Sequence, residues 1–248
     1  MTFDFAGKTV LITGGTRGIG SAMAKAFSNA NARVICTGTN SDNISNLKDS
    51  SQTDQVSYIQ LDLSDDNSIR RFFEKMDKEN PKIDVLINNA GINQIETVDQ
   101  FDVEAWNKII KVNLSGSFAM INHFSKGMIE RKSGKILNIA SIFGSITKEK
   151  RSAYTSSKAG LIGLTKTSSV DLAPHGILVN SVSPGFINTE LTRTILSPKG
   201  IQELVSMVPM NRLGEVHEVA NLALFICSDL NTFITGQNIT IDGGFVNI

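Results

Sequence analysis

Tyr154 and Lys158 stand four residues apart, and Ser141 lies upstream of them. On a helix that spacing puts both side chains on one face, so a phenol and an ammonium can approach each other. Residues 154–167 support such a helix, with small Ala and Ser first and then Ala159, Leu161, Ile162 and Leu164 at core-like intervals. A free tyrosine has a pKa of about 10 and is a poor acid or base at neutral pH, but a nearby ammonium favours the phenolate and lowers that value. A tyrosine tuned in this way can pass protons near neutrality. Taken alone, the pair reads as an ordinary helix-surface pair, because so short a motif recurs by chance.

The elements that must position these groups can be read in order. An apolar strand at 8–13, centred on Val10-Leu11-Ile12, runs into Gly14, Gly15, Gly18 and Gly20, and a helix with Ala22, Met23, Ala26 and Phe27 on one side follows. Strand, glycine turn and helix together form a dinucleotide-binding unit, in which backbone comes close to a pyrophosphate at a helix N-terminus, whereas the glycines alone would be a tight turn. The second strand, 33–37, ends in Gly38-Thr39-Asn40, with no carboxylate where an NAD enzyme places one for the ribose hydroxyls. Arg17 supplies a positive charge on the same side and Thr39 and Asn40 supply donors, so NADP(H) is favoured over NAD(H). A third strand, 56–61, leads to Asp62, which read alone could cap a helix starting at 64–67. The fourth strand, 85–87, ends in Asn88-Asn89-Ala90-Gly91. In the next helix Trp106, Ile109, Ile110 and Val112 face the core, and Asn113 interrupts them as what would by itself be a satisfied buried amide. The fifth strand, 135–139, delivers Ser141 at its C-terminal end, where open parallel sheets place ligand chemistry. A sixth strand at 177–182, an amphipathic helix at 218–228 and a last strand within 236–244 complete seven parallel strands alternating with helices, which predicts one doubly wound α/β domain with helices on both faces. Residues 186–212, with scattered Pro, Ser and Met, are expected to form a substrate lid.

Thr13-Gly-Gly-Thr-Arg-Gly-Ile-Gly20, Asn88-Asn-Ala-Gly91, Asn113, Ser141, Tyr154, Lys158 and Pro184-Gly185 stand in one family's order and spacing. Over essentially its whole length the chain resembles a classical short-chain dehydrogenase/reductase with a Rossmann fold, nearest the 3-oxoacyl-[acyl-carrier-protein] reductase branch and its sugar- and alcohol-oxidising relatives. The resemblance implies a catalytic set of Asn113, Ser141, Tyr154 and Lys158, with Tyr154 exchanging the proton, Ser141 bonding the reacting oxygen, Lys158 lowering the tyrosine pKa and binding the nicotinamide ribose, and Asn113 bending its helix and holding a water linked to Lys158. It implies cofactor contacts at Gly14, Thr16, Arg17, Gly18, Ile19, Gly20, Thr39, Asn89, Ala90, Gly91, Tyr154, Lys158, Pro184 and Gly185. It further assigns Asp62 to the adenine amino group, Leu63 to the ring, and Ile187 and Thr189 to the nicotinamide carboxamide. A homotetramer is the family expectation.

Lys plus Arg and Asp plus Glu are both 24, so no global field recruits nucleic acid or an anionic membrane. The N-terminus shows no signal-peptide core and no stretch approaches membrane-spanning length, while Cys36 and Cys227 read as reduced core thiols, so a cytoplasmic setting is expected. No metal is called for. The substrate is a small-molecule or carrier-bound carbonyl or alcohol. Arg131 and Lys132 are candidates for a carrier-protein patch, although His175-Gly176 stands where many such reductases have Arg-Gly; Lys148, Glu149, Lys150 and Arg151 form either a solvated loop or a cationic contact to an acidic or phosphorylated substrate. A rival reading, a non-catalytic dinucleotide-binding protein, would be expected to have lost one of the four catalytic residues, and all four are present. Thr39→Asp is expected to shift preference from NADPH toward NADH by adding a carboxylate that bonds ribose hydroxyls and repels a 2′-phosphate. The ratio of kcat/KM for the two cofactors reads this directly, and an unchanged ratio would refute the account of the adenosine pocket.

Overall fold

Strand β1 (Thr9–Ile12) is buried along its whole length, with Val10, Leu11 and Ile12 at zero exposure, as a parallel strand covered on both faces must be. Alternation assigns its side chains to two cores. Val10 and Ile12 join Val34, Cys36, Val85, Ile87, Leu137 and Ile139 under Met23 and Phe27 of α1 (Gly18–Asn29) and Val219 and Ala223 of α8 (Val216–Cys227). Leu11 joins Ile35, Leu86, Ile136 and Val179 on the opposite face. That face is covered by Phe72 and Met76 of α3 (Asp66–Glu79), Met120 and Met128 of α5 (Gly116–Arg131) and Leu172 of α6 (Ser152–Leu172). The computed structural model describes residues 3–50, 55–190, 192 and 197–247.

The other strands of this sheet are β2 (Arg33–Gly38), β3 (Val56–Gln60), β4 (Val85–Asn88), β5 (Gly134–Ile139), β6 (Ile177–Pro184) and β9 (Asn238–Ile241). Their order is β3-β2-β1-β4-β5-β6-β9, and every pairing is parallel. The seven-stranded doubly wound sheet expected from the sequence is therefore present. The chain reverses its direction of winding between β1 and β4, the switch point outside whose carboxyl ends open α/β sheets take ligands.

One element differs from the sequence reading. Helix α6 runs well beyond 154–167, and Ser168, Ser169 and Leu172 are buried along its added length. In the helical run that carries Trp106, α4 (Val103–Ile110) passes without a break through a π-turn, Lys111–Ser115, into α5, so one extra residue is accommodated at Asn113, where the resemblance implies a bend. After β6, a two-residue strand β7 (Ile187–Asn188) pairs with β8 (Gly214–Glu215), and between them lies α7 (Pro198–Ser206). Of the expected lid, residues 191 and 193–196 lie outside the described residues.

A buried polar chain fixes β4, β5 and α6 to one another. Asn88 Nδ2 donates to Asn138 Oδ1 at 2.8 Å, Asn138 Nδ2 donates to Thr165 Oγ1 at 2.9 Å, and Thr165 Oγ1 donates to the Leu161 carbonyl at 2.8 Å. Asn138→Leu leaves the Asn88 amide without its acceptor in a dry interior and is expected to cost about 2–3 kcal/mol. Urea denaturation would show the loss as a lower midpoint at unchanged slope.

Candidate active site

The glycine turn between β1 and α1 is built for close approach. Gly14 has φ +64°, and a Cβ there would lie 2.9 Å from Ala90 Cα; at Gly20 it would lie 2.2 Å from the Gly14 carbonyl oxygen. Larger residues would push this backbone away from the edge of the sheet. Arg17, exposed at the N-cap of α1, makes no side-chain cap, which leaves the helix N-terminus open toward an anion. Thr16, Gly18 and Ile19 complete the turn, and the Thr189 methyl would stand 3.8 Å from a Cβ on Gly18. Asn89 braces the turn, giving Nδ2 to the Thr13 and Gly14 carbonyls, and Thr13 Oγ1 accepts the Asn89 and Ala90 amides. The sequence places Thr13 at the head of the glycine motif but assigns it no role.

On the adenosine side, a Cβ at Gly38 would lie 2.6 Å from the Thr16 methyl, so the position where an acidic residue is expected is already filled by Thr16. Thr39 is exposed, with its carbonyl accepting from Gln60 Nε2. Asp62 does not cap the following helix. Asp65 does, accepting the Asn67 amide, while Asp62 Oδ1 accepts both the backbone N–H and the hydroxyl of Ser64 and so has its carboxylate orientation fixed. Leu63 is buried against Gly116. Pro184 ends β6, the Gly185 amide bonds the Ile241 carbonyl, and the Ile187 carbonyl accepts from the Thr189 amide and the Thr192 hydroxyl.

Around Tyr154 the four residues singled out in the sequence lie together. Asn113, wholly buried in the π-turn, accepts the Ile92 amide at 2.8 Å and donates to the Ile92 carbonyl at 2.9 Å and to Ser157 Oγ at 3.0 Å. A Cβ on Gly91 would stand 3.5 Å from both Asn113 Oδ1 and Lys158 Nζ, which places the loop, the amide and the ammonium at one point. Lys158 Nζ donates to the Ile139 carbonyl at 2.7 Å and lies 5.7 Å from the centre of the Tyr154 ring. Ser141 Oγ accepts the Phe143 amide, and the Ser141 hydroxyl acts on the Tyr154 phenol so as to lower its pKa. Ser157, another residue the sequence reading passed over, donates to the Tyr154 carbonyl and so joins Asn113 to the tyrosine backbone.

The electrostatics correct one expectation. Burial pushes the Tyr154 phenol above its ordinary value, against the lowering influences of Ser141 and of the Arg151 charge, while Lys158 turns its ammonium to the Ile139 carbonyl. Burial also brings Lys158 down to about 8. The carrier-protein patch also falls elsewhere. Arg131 and Lys132 precede β5, at the opposite edge of the sheet from Ser141, and Arg131 is occupied with the Ile83 carbonyl.

The family described as "Enoyl-(Acyl carrier protein) reductase" matches residues 14–246. The 3-oxoacyl-[acyl-carrier-protein] reductase FabG of Aquifex aeolicus is 36% identical over 247 residues, covering 98% of this chain and 99% of the relative. The NAD-dependent glycerol dehydrogenase of Listeria innocua is 34% identical, covering 98% and 95%. A gluconate 5-dehydrogenase from Burkholderia cenocepacia, solved with NADP and tartrate, superposes with a TM-score of 0.91 at 29% identity, covering 99% of this chain and 98% of that one. Fold, glycine turn and relatives together define an NAD(P)-dependent oxidoreductase that interconverts a carbonyl and an alcohol. The chain belongs to the short-chain dehydrogenase/reductase family.

Lys158 yields a signed prediction. Folded, it releases its proton near about 8; unfolded, near about 10.4. Between those values the unfolded chain binds more protons, so this group makes stability rise with pH across that window. Lys158→Met is expected to lack the rise, and urea titrations of both proteins without ligand at either end of the window test it through their difference. A constant difference would mean that the ammonium is not desolvated.

Proposed function

We propose that the chain uses NADPH in preference to NADH and that Asn113, Ser141, Tyr154 and Lys158 carry the reaction. The observation behind this reading is the Ser141 hydroxyl acting on the Tyr154 phenol beside the buried Lys158 ammonium. When bound, the nicotinamide supplies or accepts the hydride. In reduction Tyr154 gives its proton to the carbonyl oxygen, and Ser141 donates a hydrogen bond to the same oxygen, stabilising the charge that develops there. The raised phenol pKa suits this direction, since the proton is in place at neutral pH. Lys158 and Asn113 then return a proton toward the phenol, so each turnover consumes one proton with the hydride. The absence of a carboxylate at 38–40, the Thr16 methyl at Gly38 and the exposed Arg17 support NADPH.

For the substrate, the 3-oxoacyl-[acyl-carrier-protein] reductases among the relatives support a 3-oxoacyl thioester. A second reading, a sugar acid or oxo acid, is favoured by the one cation of 148–151 whose charge reaches the Tyr154 phenol. In the same proposal, 186–212 acts as a lid hinged on the β7–β8 pair. Exposed Val103, Phe118, Val170 and Phe233 support burial in a homotetramer, and two unpaired buried thiols suit a cytoplasmic setting.

The test is NADPH and NADH oxidation, followed by absorbance, against an acetoacetyl thioester, keto sugars, keto acids and simple diketones. NADPH-driven turnover of at least one of them is expected, reduced about 10²–10⁴-fold in Tyr154→Phe. Undiminished hydride transfer in that variant would overturn the proton-donor assignment.

A further inference from the structure

The charged run after the Ser141 turn divides in two. Lys148 and Glu149 face each other at 3.9 Å, and 148–150 are exposed to solvent. Arg151 instead turns inward. Its backbone pairs with Glu96 in an isolated bridge, and its guanidinium carbon stands 5.8 Å from the centre of the Phe143 ring. Phe143 meets Tyr154 edge-on at 6.5 Å and Phe186 at 6.3 Å, so the guanidinium and the phenol share one aromatic wall. Arg151 Nε and Nη1 are shut off from solvent with no hydrogen-bond partner among the described residues, and so is the hydroxyl of Ser152, the next residue in the chain. Buried donors in this state are costly. The guanidinium is the costliest of them, because burial works against its charge. An acceptor that arrives with the substrate would remove the cost, and the planar guanidinium matches a carboxylate.

We propose that Arg151, with the Ser152 hydroxyl, is the anchor for a carboxylate on the substrate, so that the enzyme acts on a short oxo acid or hydroxy acid whose reacting oxygen lies on Ser141 and Tyr154. This rests on the assignment of Ser141 and Tyr154 given above. It separates Arg151 from Lys148 and Lys150, which remain solvated surface. Phe143 and Phe186 supply the apolar contact for the carbon chain between the two polar ends.

The experiment compares acetoacetate and 4-oxopentanoate with their methyl esters, as NADPH-linked kcat/KM, in the wild type, Arg151→Gln and Arg151→Lys. The acid-to-ester ratio is the readout, because any influence of Arg151 on the Tyr154 proton acts on both members of a pair and cancels. The wild type is expected to prefer the acids, and Arg151→Gln to lower the ratio by about 30-fold, within the roughly 10–100-fold range of a lost charge-assisted contact. Arg151→Lys, which keeps the charge without the planar fork, is expected to fall between. An unchanged ratio would reduce Arg151 to a support for the turn or a tuner of Tyr154 and overturn the proposal, as would a wild type that prefers the esters. A preference for fructose 6-phosphate over fructose, with none for the oxo acids, would overturn the carboxylate assignment. A binding arm is independent of turnover: 4-oxopentanoate should raise the thermal midpoint of the wild type and not that of Arg151→Gln. Should no carbonyl be reduced, the catalytic reading fails and this arm still decides on Arg151.

Discussion

One buried amide holds three parts of the site in register. Asn113 takes both backbone groups of Ile92 and gives a further bond to Ser157, which itself bonds the Tyr154 carbonyl. The loop after β4, the α4–α5 junction and the N-terminal part of the sheet-facing helix α6 therefore meet through a single side chain. The π-turn makes this geometry available, since the extra residue points the amide inward while the helices on either side keep their own packing. An amide with no exposure and every one of these bonds formed is rigid, because any rotation leaves a buried donor or acceptor without a partner.

That rigidity sets the electrostatic character of the pocket. Lys158 is held in the interior by a carbonyl, and no carboxylate pairs with it among the described residues. Desolvation acts on the ammonium and on the phenol in opposite directions, lowering one and raising the other, and so separates two proton affinities that are nearly equal in water. The phenol is left as the stronger base, so a proton passing from the ammonium toward a phenolate moves downhill.

Much of the fold was legible because its strands are short apolar runs ended by chemistry-bearing loops. Val10-Leu11-Ile12 before the glycines and Val85-Leu86-Ile87 before Asn88 are both readable without partners. The harder features depend on distant contacts. The full length of α6 was hidden because its buried face includes Ser157, Thr165, Ser168 and Ser169, of which Ser157, Thr165 and Ser169 donate to backbone carbonyls of the same helix. Strand β6 continues through Ser183 and Pro184 because Asn238–Ile241 pairs with it from more than fifty residues away. The grouping of Asn113, Ser141, Tyr154 and Lys158 was readable as a motif, but not the direction in which Lys158 points, which is set by where the Ile139 carbonyl ends up. Arg151 was one of four charged residues in a row, and nothing local distinguishes it from its neighbours. Only the packing of Phe143 does.

Cys36 has a quieter consequence. Its sulfur fills the space beside the glycine turn, only 2.6 Å from where a Cβ on Gly15 would stand, and burial pushes its thiol up to about 12, as it does for Cys227. The native protein thus presents almost no thiolate at neutral pH, and electrophiles and peroxides find little to attack. The fold insulates the dinucleotide turn from redox damage by keeping the vulnerable atom protonated and hidden, since any oxygen or adduct added to that sulfur would press directly on the backbone of the turn. A cysteine introduced on the surface would accordingly be the dominant reactive thiol of the folded chain, and a reporter placed there would carry little background.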